Sequence, residues 1–394
     1  MTGLLPVDEA QSRLFAMARR VDSEQVALAH AAGRWAAGPV AARRDQPGTD
    51  LSAMDGYAIR FDDLPGPWRL VGESAAGRPM GGMVATGEAT RIFTGAAMPA
   101  GADTVLVQEQ AARDGETLAL AGGGPARQGA NVRLKGLDFT AGAVLIAAGE
   151  RLTPARVALA ATAGHGTLAV NRPIRVAILA TGDELVAPGA PADPLALPES
   201  NSAMLAAMLA DLPVAITQLG IIPDRLEALV VAFTGAQADI VVTTGGASVG
   251  DHDLVRPALI AAGGDIDFWR LALRPGKPML AGRLGDTIML GLPGNPVSAF
   301  VTATLFLRPL IAMMAGARDP LPHTIRAALL APLPANDHRQ DYLRATRHDG
   351  GVVWAPIQDS SMLATLAASD CLIARAPHAP AAVIGDMIEI LPIA

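Results

Sequence analysis

The sequence predicts a multidomain α/β protein built around a doubly wound, parallel sheet. Three apolar strand candidates alternate with helix candidates in the second half of the chain, namely RVAILA (175–180), VAITQLGI (214–221) and DIVVTT (239–244). This alternation is typical of βαβ units, in which ligands bind beyond the carboxyl ends of the strands. Short alternating runs elsewhere predict additional β-rich parts.

The order of the other elements follows from their periodicity. A helix is predicted within 7–20, and short runs broken by glycines from 49 to about 136 predict a small β-rich module. A helical pattern returns at 153–164, and alternation with a period of two after 320 predicts a small C-terminal β-domain. In the α/β region the helix candidate 200–212 begins with Ser200 and Ser202, either of which is a candidate cap.

Composition narrows the functional classes. The chain has 394 residues, a formal net charge of −7 and one cysteine, Cys371, which excludes an intrachain disulfide and a multi-cysteine zinc site. The N-terminus lacks the basic-then-apolar order of a signal peptide. The longest apolar helix candidate, 297–315, contains Arg308 and is predicted to be buried. We therefore expect a soluble, cytoplasmic protein that binds neither nucleic acid nor membranes.

A group of basic residues stands out in this acidic chain. Between Phe268 and Gly285 the ionisable residues are Arg270, Arg274, Lys277 and Arg283. Four cations without a carboxylate indicate a specific anion site. Lys277 and Lys135 are the only lysines in the chain, so we expect Lys277 to act as a selected point charge.

Two turns supply backbone groups to such a site. In TTGGASVGDHD (243–253), Gly245 and Gly246 permit positive φ and Ser248 adds a hydroxyl, although a tight connection without a ligand is the alternative. In PGNP (293–296), Asn295 fits a helix N-cap and Pro296 the first helical position. The free N–H groups of that helix favour a small oxyanion, while the alternative is a well-capped core helix.

Carboxylates follow several predicted strands, namely Asp183, Glu184, Asp224, Asp251 and Asp253. Because parallel strands share one edge, several of these could converge on a hydrated Mg²⁺ beside phosphates. Each could instead cap a helix or lie in solvent, and Asp253 is a candidate N-cap for the next helix.

Two other motifs have structural interpretations. Asp55-Gly56 fits a type I′ hairpin turn, and Ser360-Ser361 fits a helix cap.

The motifs together resemble the MoeA-type molybdopterin molybdotransferases. The resemblance rests on SAMDGYA (52–58), RIFTGAAMP (91–99), NVRLKGLD (131–138), LATGDEL (179–185), SN (200–201), LGIIPD (219–224), TTGGASVGDHD (243–253), LRPGKP (273–278) and GLPGNPVSA (291–299). The motifs occur in the family's order over most of the chain.

The resemblance implies a four-part, dimeric fold. A helical part would comprise 1–45 and 139–172, a β-rich domain 46–138 would be inserted between them, a MogA-like α/β domain would span 173–318, and a β-barrel-like domain 319–394. The implied reaction joins molybdate to adenylylated molybdopterin with release of AMP, and Mg²⁺ is the implied metal. A homodimer with a shared active site is implied, and other proteins of molybdenum cofactor biosynthesis are candidate partners.

The resemblance also assigns roles. Asp55, Thr94 and Asp138 would act from the inserted domain in the partner subunit's cleft, and Glu184, Asp224 and Asp253 near Mg²⁺. The implied anion-binding residues are Arg270, Arg274, Lys277, Pro293, Pro296 and Ser361 or Ser360. Relatives commonly carry lysine at the positions of Arg270 and Arg274, where arginine keeps the charge but changes the contact geometry.

Two other functions fit the same α/β region. One is a MogA-like adenylyltransferase, which the inserted and C-terminal β-domains argue against. The other is a molybdopterin-binding scaffold without activity, which the presence of Asp55, Glu184, Asp224 and Asp253 argues against.

Overall fold

The central feature of the fold is a six-stranded sheet. The computed structural model describes residues 4–191, 194–246 and 254–393. The strands of the sheet lie in the order Val214–Ile222, Ile174–Thr181, Ile240–Thr244, Thr287–Leu292, Pro278–Leu284 and Asp265–Arg270. The first four are mutually parallel, so their carboxyl ends lie at one edge, as the sequence predicted.

One strand departs from the expected parallel order. Pro278–Leu284 runs antiparallel to Thr287–Leu292 and to Asp265–Arg270. Only Gly285 and Asp286 separate Leu284 from Thr287, and a two-residue connection can join antiparallel strands but is far too short for a parallel crossover. The sheet is therefore mixed at one side.

Both faces of the sheet are covered by helices. Alternate residues of Ile174–Thr181 enter different cores, since Val176 and Ile178 pack in one and Ala177 and Leu179 in the other. This double burial explains why the strand is apolar from Val176 to Ala180. The helices of this region are Asn201–Leu209, Leu226–Gly235, Val255–Ala261, Pro296–Thr302 and Arg308–Met314, with a π-helical turn Ala303–Leu307 between the last two.

In the described part of the chain, one helical stretch is long and apolar enough to cross a membrane. It is Pro296–Met314, with 19 residues and a mean hydropathy of 1.7, and 83% of its apolar window is buried inside the protein. Arg308 binds both carboxylate oxygens of Asp211 at 2.8 and 3.0 Å. The burial is that of a core helix and agrees with the prediction.

The two outer segments of the N-terminal half pair with each other. Strand Ser23–Ala27 pairs with Thr167–Asn171, and Val40–Ala41 pairs with Val144–Ile146. The helical pattern did not predict these two ribbons. The helices here are Val7–Met17, Pro154–Thr162 and the 3₁₀ turn Leu28–His30.

The segment between them forms a second six-stranded sheet. Its strands lie in the order Thr104–Val107, Gly56–Ile59, Glu88–Ile92, Trp68–Ser74, Thr117–Leu120 and Ala111–Asp114. A separate ribbon joins Leu51–Ser52 to Val132–Arg133, and 3₁₀ turns occupy Phe61–Asp63 and Gln108–Gln110.

The hairpin interpretation of Asp55-Gly56 is wrong. The strand Gly56–Ile59 pairs with Glu88–Ile92 and Thr104–Val107, whereas the strand that precedes Asp55 pairs elsewhere. Glycine is required at position 56 because a Cβ there would lie 2.1 Å from the carbonyl oxygen of Leu106.

The C-terminal sheet reaches into the α/β region. Its strands lie in the order Leu273–Arg274, Gln340–His348, Cys371–Arg375, Met387–Pro392 and Ile325–Ala328, and Gly351–Trp354 pairs with the second of these. A short helix, Leu363–Ala367, precedes Cys371–Arg375. Leu273 and Arg274 pair in parallel with Gln340 and Asp341, which fixes the LRPGKP loop against this sheet. A parallel ribbon of Leu185–Val186 and Leu197–Pro198 lies beside the central sheet.

We expect Asp239→Asn to destabilise the central sheet. The Asp239 side chain is 10% exposed and bonds Arg172 at 2.7 Å and Arg175 at 2.9 Å. Burial opposes ionisation of the carboxyl, yet the two arginines outweigh it and hold the pKa of Asp239 well below its usual range. Because both arginines are partly exposed, we expect a loss of about 2–3 kcal/mol of unfolding free energy in urea titrations at pH 7.

The control for this substitution is Asp286→Asn, which removes the 3.4 Å pair with Arg283 from a side chain that is 93% exposed. It should leave stability nearly unchanged. The carboxylate of Asp239 contributes stability above the unfolded-state pKa, and this contribution is lost as the pH falls through the lower folded-state pKa. Wild type and Asp239→Asn should therefore converge in acid, and equal loss in the two variants at pH 7 would contradict the assignment.

Candidate active site

A cavity of about 900 Å³ lies where the parallel strands end. The turns that follow Thr181, Ile222, Thr244 and Leu292 all contribute to its wall. The C-terminal sheet supplies the opposite wall through Arg339 and the loop 358–361. We call this cavity the cleft. Its position is the one that parallel α/β sheets use for ligands.

The glycine turn on the cleft wall has the predicted backbone conformation. Gly245 and Gly246 have φ values of +89° and +60°. A Cβ on Gly245 would lie 2.4 Å from the carbonyl oxygen of Thr181, so this position requires glycine. The other residues predicted here, Ser248 and Asp253, lie outside the described residues, as does the N-cap interpretation of Asp253.

The PGNP turn starts a helix as predicted, but its cap is different. Asn295 occupies the N-cap position and Pro296 the first turn, yet the Asn295 side chain accepts no capping hydrogen bond. Its Nδ2 donates to Ser360 Oγ at 2.9 Å, and the Val297 N–H donates to the Ser360 carbonyl at 3.3 Å. The C-terminal loop thus takes over the capping role that the sequence assigned to Asn295.

The predicted cation group divides in space. Lys277 and Arg274 line the cleft, whereas Arg270 does not, and its guanidinium lies 4.1 Å from the centre of the Trp269 ring. Arg283 pairs with Asp286. The role of Arg270 as an anion ligand stays a prediction.

The two predicted cations that line the cleft differ in their partners. Arg274 bonds Asp341, Asp337 at 3.2 Å and Asn336 at 3.2 Å, and the hydrogen bond with Asp341 raises the pKa of Arg274. Lys277 is exposed and has no ion pair or side-chain hydrogen bond with any residue that the structure describes. Among the predicted cations that line the cleft, Lys277 is therefore the one without a charged partner in the described part of the chain.

Two of the three predicted metal-binding carboxylates lie in the cleft. Glu184 is exposed, while Asp224 is half-buried and accepts a hydrogen bond from Thr181 Oγ1. The Asp224 N–H donates to Asp183 Oδ1 at 3.1 Å. Across residues 4–191, 194–246 and 254–393, no cluster of three His, Cys, Asp or Glu side chains is arranged to hold a metal.

The serine pair lines the cleft and does not cap the helix Leu363–Ala367, which has no side-chain cap. Ser361 Oγ donates to Asp359 Oδ1 at 2.6 Å and its N–H to the same oxygen at 2.9 Å. These two bonds lower the pKa of Asp359. The residues form a closed Asx turn that presents Ser360 to Asn295.

Sequence reasoning missed three cleft residues, namely Glu199, Asn201 and Arg339. Glu199 is 8% exposed, and its Oε1 accepts from the Ser202 N–H at 2.9 Å. Ser200 occupies the N-cap position of the helix Asn201–Leu209, as predicted, but its side chain makes no capping hydrogen bond. The carboxylate of Glu199, one residue earlier, supplies that bond instead.

The three residues predicted from the inserted domain lie elsewhere. Asp55 Oδ1 accepts from the Thr94 N–H at 2.7 Å and from Thr94 Oγ1 at 2.8 Å, and these bonds lower the pKa of Asp55. Asp138 is exposed, and its N–H donates to the Gln46 carbonyl at 2.9 Å. Asp55, Thr94 and Asp138 are absent from the cleft wall that the described residues of the same chain form.

Comparison with known protein families matches three regions of the chain to three family models. Three family models match, described as the MoeA N-terminal region (domains I and II) over 5–164, a probable molybdopterin binding domain over 177–313, and the MoeA C-terminal region (domain IV) over 326–393. The second coincides with the central sheet and the cleft turns.

Relatives and solved structures agree with these matches. A molybdopterin molybdenumtransferase from Haemophilus influenzae is 36% identical over 80% of this chain and 79% of its own length. One from Nostoc is 34% identical over 88% of this chain and 83% of its own length. The crystal structure of a molybdopterin biosynthesis MoeA protein from Pyrococcus horikoshii superposes with a TM-score of 0.85, at 26% identity, over 99% of this chain and 100% of that one. The chain belongs to the MoeA-type molybdopterin molybdenumtransferase family.

Proposed function

We propose that the protein is a molybdopterin molybdotransferase, which inserts molybdate into adenylylated molybdopterin and releases AMP. The observation that carries this proposal is the cleft itself, because Lys277, which has no ion pair among the described residues, lines it together with the PGNP and GG turns. The MoeA N- and C-terminal regions favour this activity over a MogA-like adenylyltransferase, whose α/β domain stands alone.

In the proposed reaction, Lys277 and the backbone of the PGNP turn hold the oxyanion. Pro293 and Pro296 shape this part of the wall, and Ser298 lies one turn further along the helix. A fixed cation and fixed N–H groups stabilise anionic charge without reorganisation during the reaction. Gly245 and Gly246 let the backbone approach the phosphates of the substrate, for which we also propose Ser248, Arg274 and Ser361.

We propose that Mg²⁺ binds beside the phosphates, held by Glu184, Asp224 and Asp253. The donor set fits this ion because two carboxylates lie on one wall of the cleft, and Mg²⁺ usually takes one or two carboxylates, substrate phosphates and water. When bound, Mg²⁺ would polarise the phosphoryl bond that releases AMP. Asp224 is oriented for this role by its hydrogen bond with Thr181.

We also propose a homodimer in which Asp55, Thr94 and Asp138 complete the cleft of the partner subunit. Their absence from the described cleft wall of their own chain supports this arrangement.

The proposed domains are 1–45 with 139–172, then 46–138, 173–318 and 319–394. Pairing of Ser23–Ala27 with Thr167–Asn171 supports the first of these, because it joins the two outer segments. A single buried cysteine, Cys371, is compatible with the cytoplasm as the site of action.

The test is molybdate-dependent AMP release. Purified protein incubated with adenylylated molybdopterin, molybdate and Mg²⁺ should release AMP and yield active molybdenum cofactor, measured by chromatography and by reconstitution of a molybdoenzyme. Omission of molybdate is the control. AMP release that does not depend on molybdate would sink the proposal, and synthesis of adenylylated molybdopterin from ATP would favour the adenylyltransferase.

A further inference from the structure

Asn201 makes an unusual contact at the wall of the cleft. It is 8% exposed and is the first residue of the helix Asn201–Leu209. Its Nδ2 donates to the carbonyl oxygen of Gly294 at 2.7 Å, across 93 residues of chain. Gly294 is the middle of the PGNP turn, so one buried amide controls the orientation of a peptide group in the proposed oxyanion pocket.

The contact also connects the PGNP turn with the glycine turn. A Cβ on Gly294 would lie 3.5 Å from the Cα of Gly245, and the Gly245 N–H donates to the Leu292 carbonyl at 3.3 Å. The two turns are therefore packed backbone against backbone. A change in the Gly294 peptide would reach both sides of the pocket.

The orientation of the Asn201 side-chain amide indicates the role of this residue. Its Oδ1 is buried and accepts no hydrogen bond from the residues that the structure describes. Buried polar atoms without a partner are rare and call for an explanation. Here the Nδ2 of the same side chain donates to the Gly294 carbonyl, and this bond holds the amide in the orientation that leaves Oδ1 without a donor. A carbonyl oxygen turned towards a bound oxyanion would repel it, whereas a carbonyl bound to Asn201 cannot turn.

We infer that Asn201 is a positioning residue for oxyanion binding. By holding the Gly294 carbonyl, it fixes the peptide group that also carries the Asn295 N–H. This N–H remains as a donor for the anion, since Ser360 already binds the Val297 N–H. The inference rests on the proposed molybdotransferase function, and it adds a residue that selects for oxyanions without touching them.

The test compares two asparagines with the same chemistry. Asn171 is 3% exposed and its Nδ2 donates to the Ala315 carbonyl at 2.7 Å, but it does not line the cleft. Asn201→Ala should raise the KM for molybdate about tenfold, which corresponds to one hydrogen bond, and change kcat little. Asn171→Ala should leave this KM unchanged, even if it destabilises the protein as much.

A second variant and a second measurement keep the result interpretable. Asn201→Leu has a similar size and no charge but lacks the donor, and it should weaken molybdate binding about as much as Asn201→Ala. Equilibrium dialysis with radioactive molybdate measures binding without turnover, so it reports on Asn201 even if AMP release fails in the wild type. That failure would overturn the proposed function alone. Equal molybdate affinity in wild type and both Asn201 variants, or an equal loss in Asn171→Ala, would overturn the inference.

Discussion

Replacement of Lys277 by alanine is expected to lower kcat/KM for molybdate about 100- to 1000-fold, the usual effect of removing one preorganised donor from an anionic transition state. Lys277 lies in the cleft without an ion pair or side-chain hydrogen bond to the described residues, so its ammonium group is available to a ligand. Arg274 cannot substitute for it without breaking its bonds to Asp341 and Asp337. Folding should be unaffected because the side chain is exposed.

The control is Lys135→Ala, which changes the only other lysine. Lys135 pairs with Asp45 at 3.2 Å on the surface of the inserted region and is 59% exposed. It should retain wild-type molybdate-dependent AMP release in steady-state kinetics. Lys277→Arg keeps the positive charge but replaces the compact ammonium group with a planar guanidinium, and it should retain part of the activity. Equal effects of the two alanine substitutions would remove the argument that Lys277 is a selected charge.

The position of the cleft could be predicted because it depends on local sequence. Strands rich in buried apolar residues are followed directly by Gly182-Asp183, Gly245-Gly246 and Pro293-Gly294. Parallel strands bring these ends to one edge of the sheet, whatever the rest of the chain does. The conformation of Gly245 and the helix start at Pro296 were predicted for the same reason. Each is decided by a few neighbouring residues.

The partners of the charged and polar side chains could not be predicted. Arg274 finds Asp337 and Asp341 at separations of 63 and 67 residues, because the strand Leu273–Arg274 joins the C-terminal sheet. Asn295 similarly finds Ser360, 65 residues away. No local pattern encodes these contacts, since they follow from the packing of one sheet against another. The sequence could therefore place Arg274 and Lys277 at the cleft, but it could not show that Arg274 is paired or that Arg270 is absent from the described cleft wall.

Two inactive variants are expected to restore activity to each other when they form mixed dimers. Asp55 and Thr94 bond each other at 2.8 Å but do not line the described cleft of their own chain, whereas Lys277 does. If a cleft combines Lys277 of one subunit with Asp55 of the other, a dimer of Asp55→Ala and Lys277→Ala subunits contains one intact cleft. One of the two clefts in a mixed dimer is intact, so the purified mixed dimer should have about half of the wild-type activity, and an unfractionated mixture formed by random pairing about a quarter.

The matched control pairs Lys277→Ala with Glu184→Ala. Both side chains line the cleft of a single chain, so every cleft in their mixed dimer lacks one of them and activity should stay low. The measurement is AMP release after co-expression with two affinity tags and purification of the doubly tagged dimer, with sedimentation to verify its size. Restoration by the Asp55 variant but not by the Glu184 variant requires a cleft built from two subunits. Failure of the Asp55 pair to recover activity in verified mixed dimers would contradict a cleft shared between the two subunits.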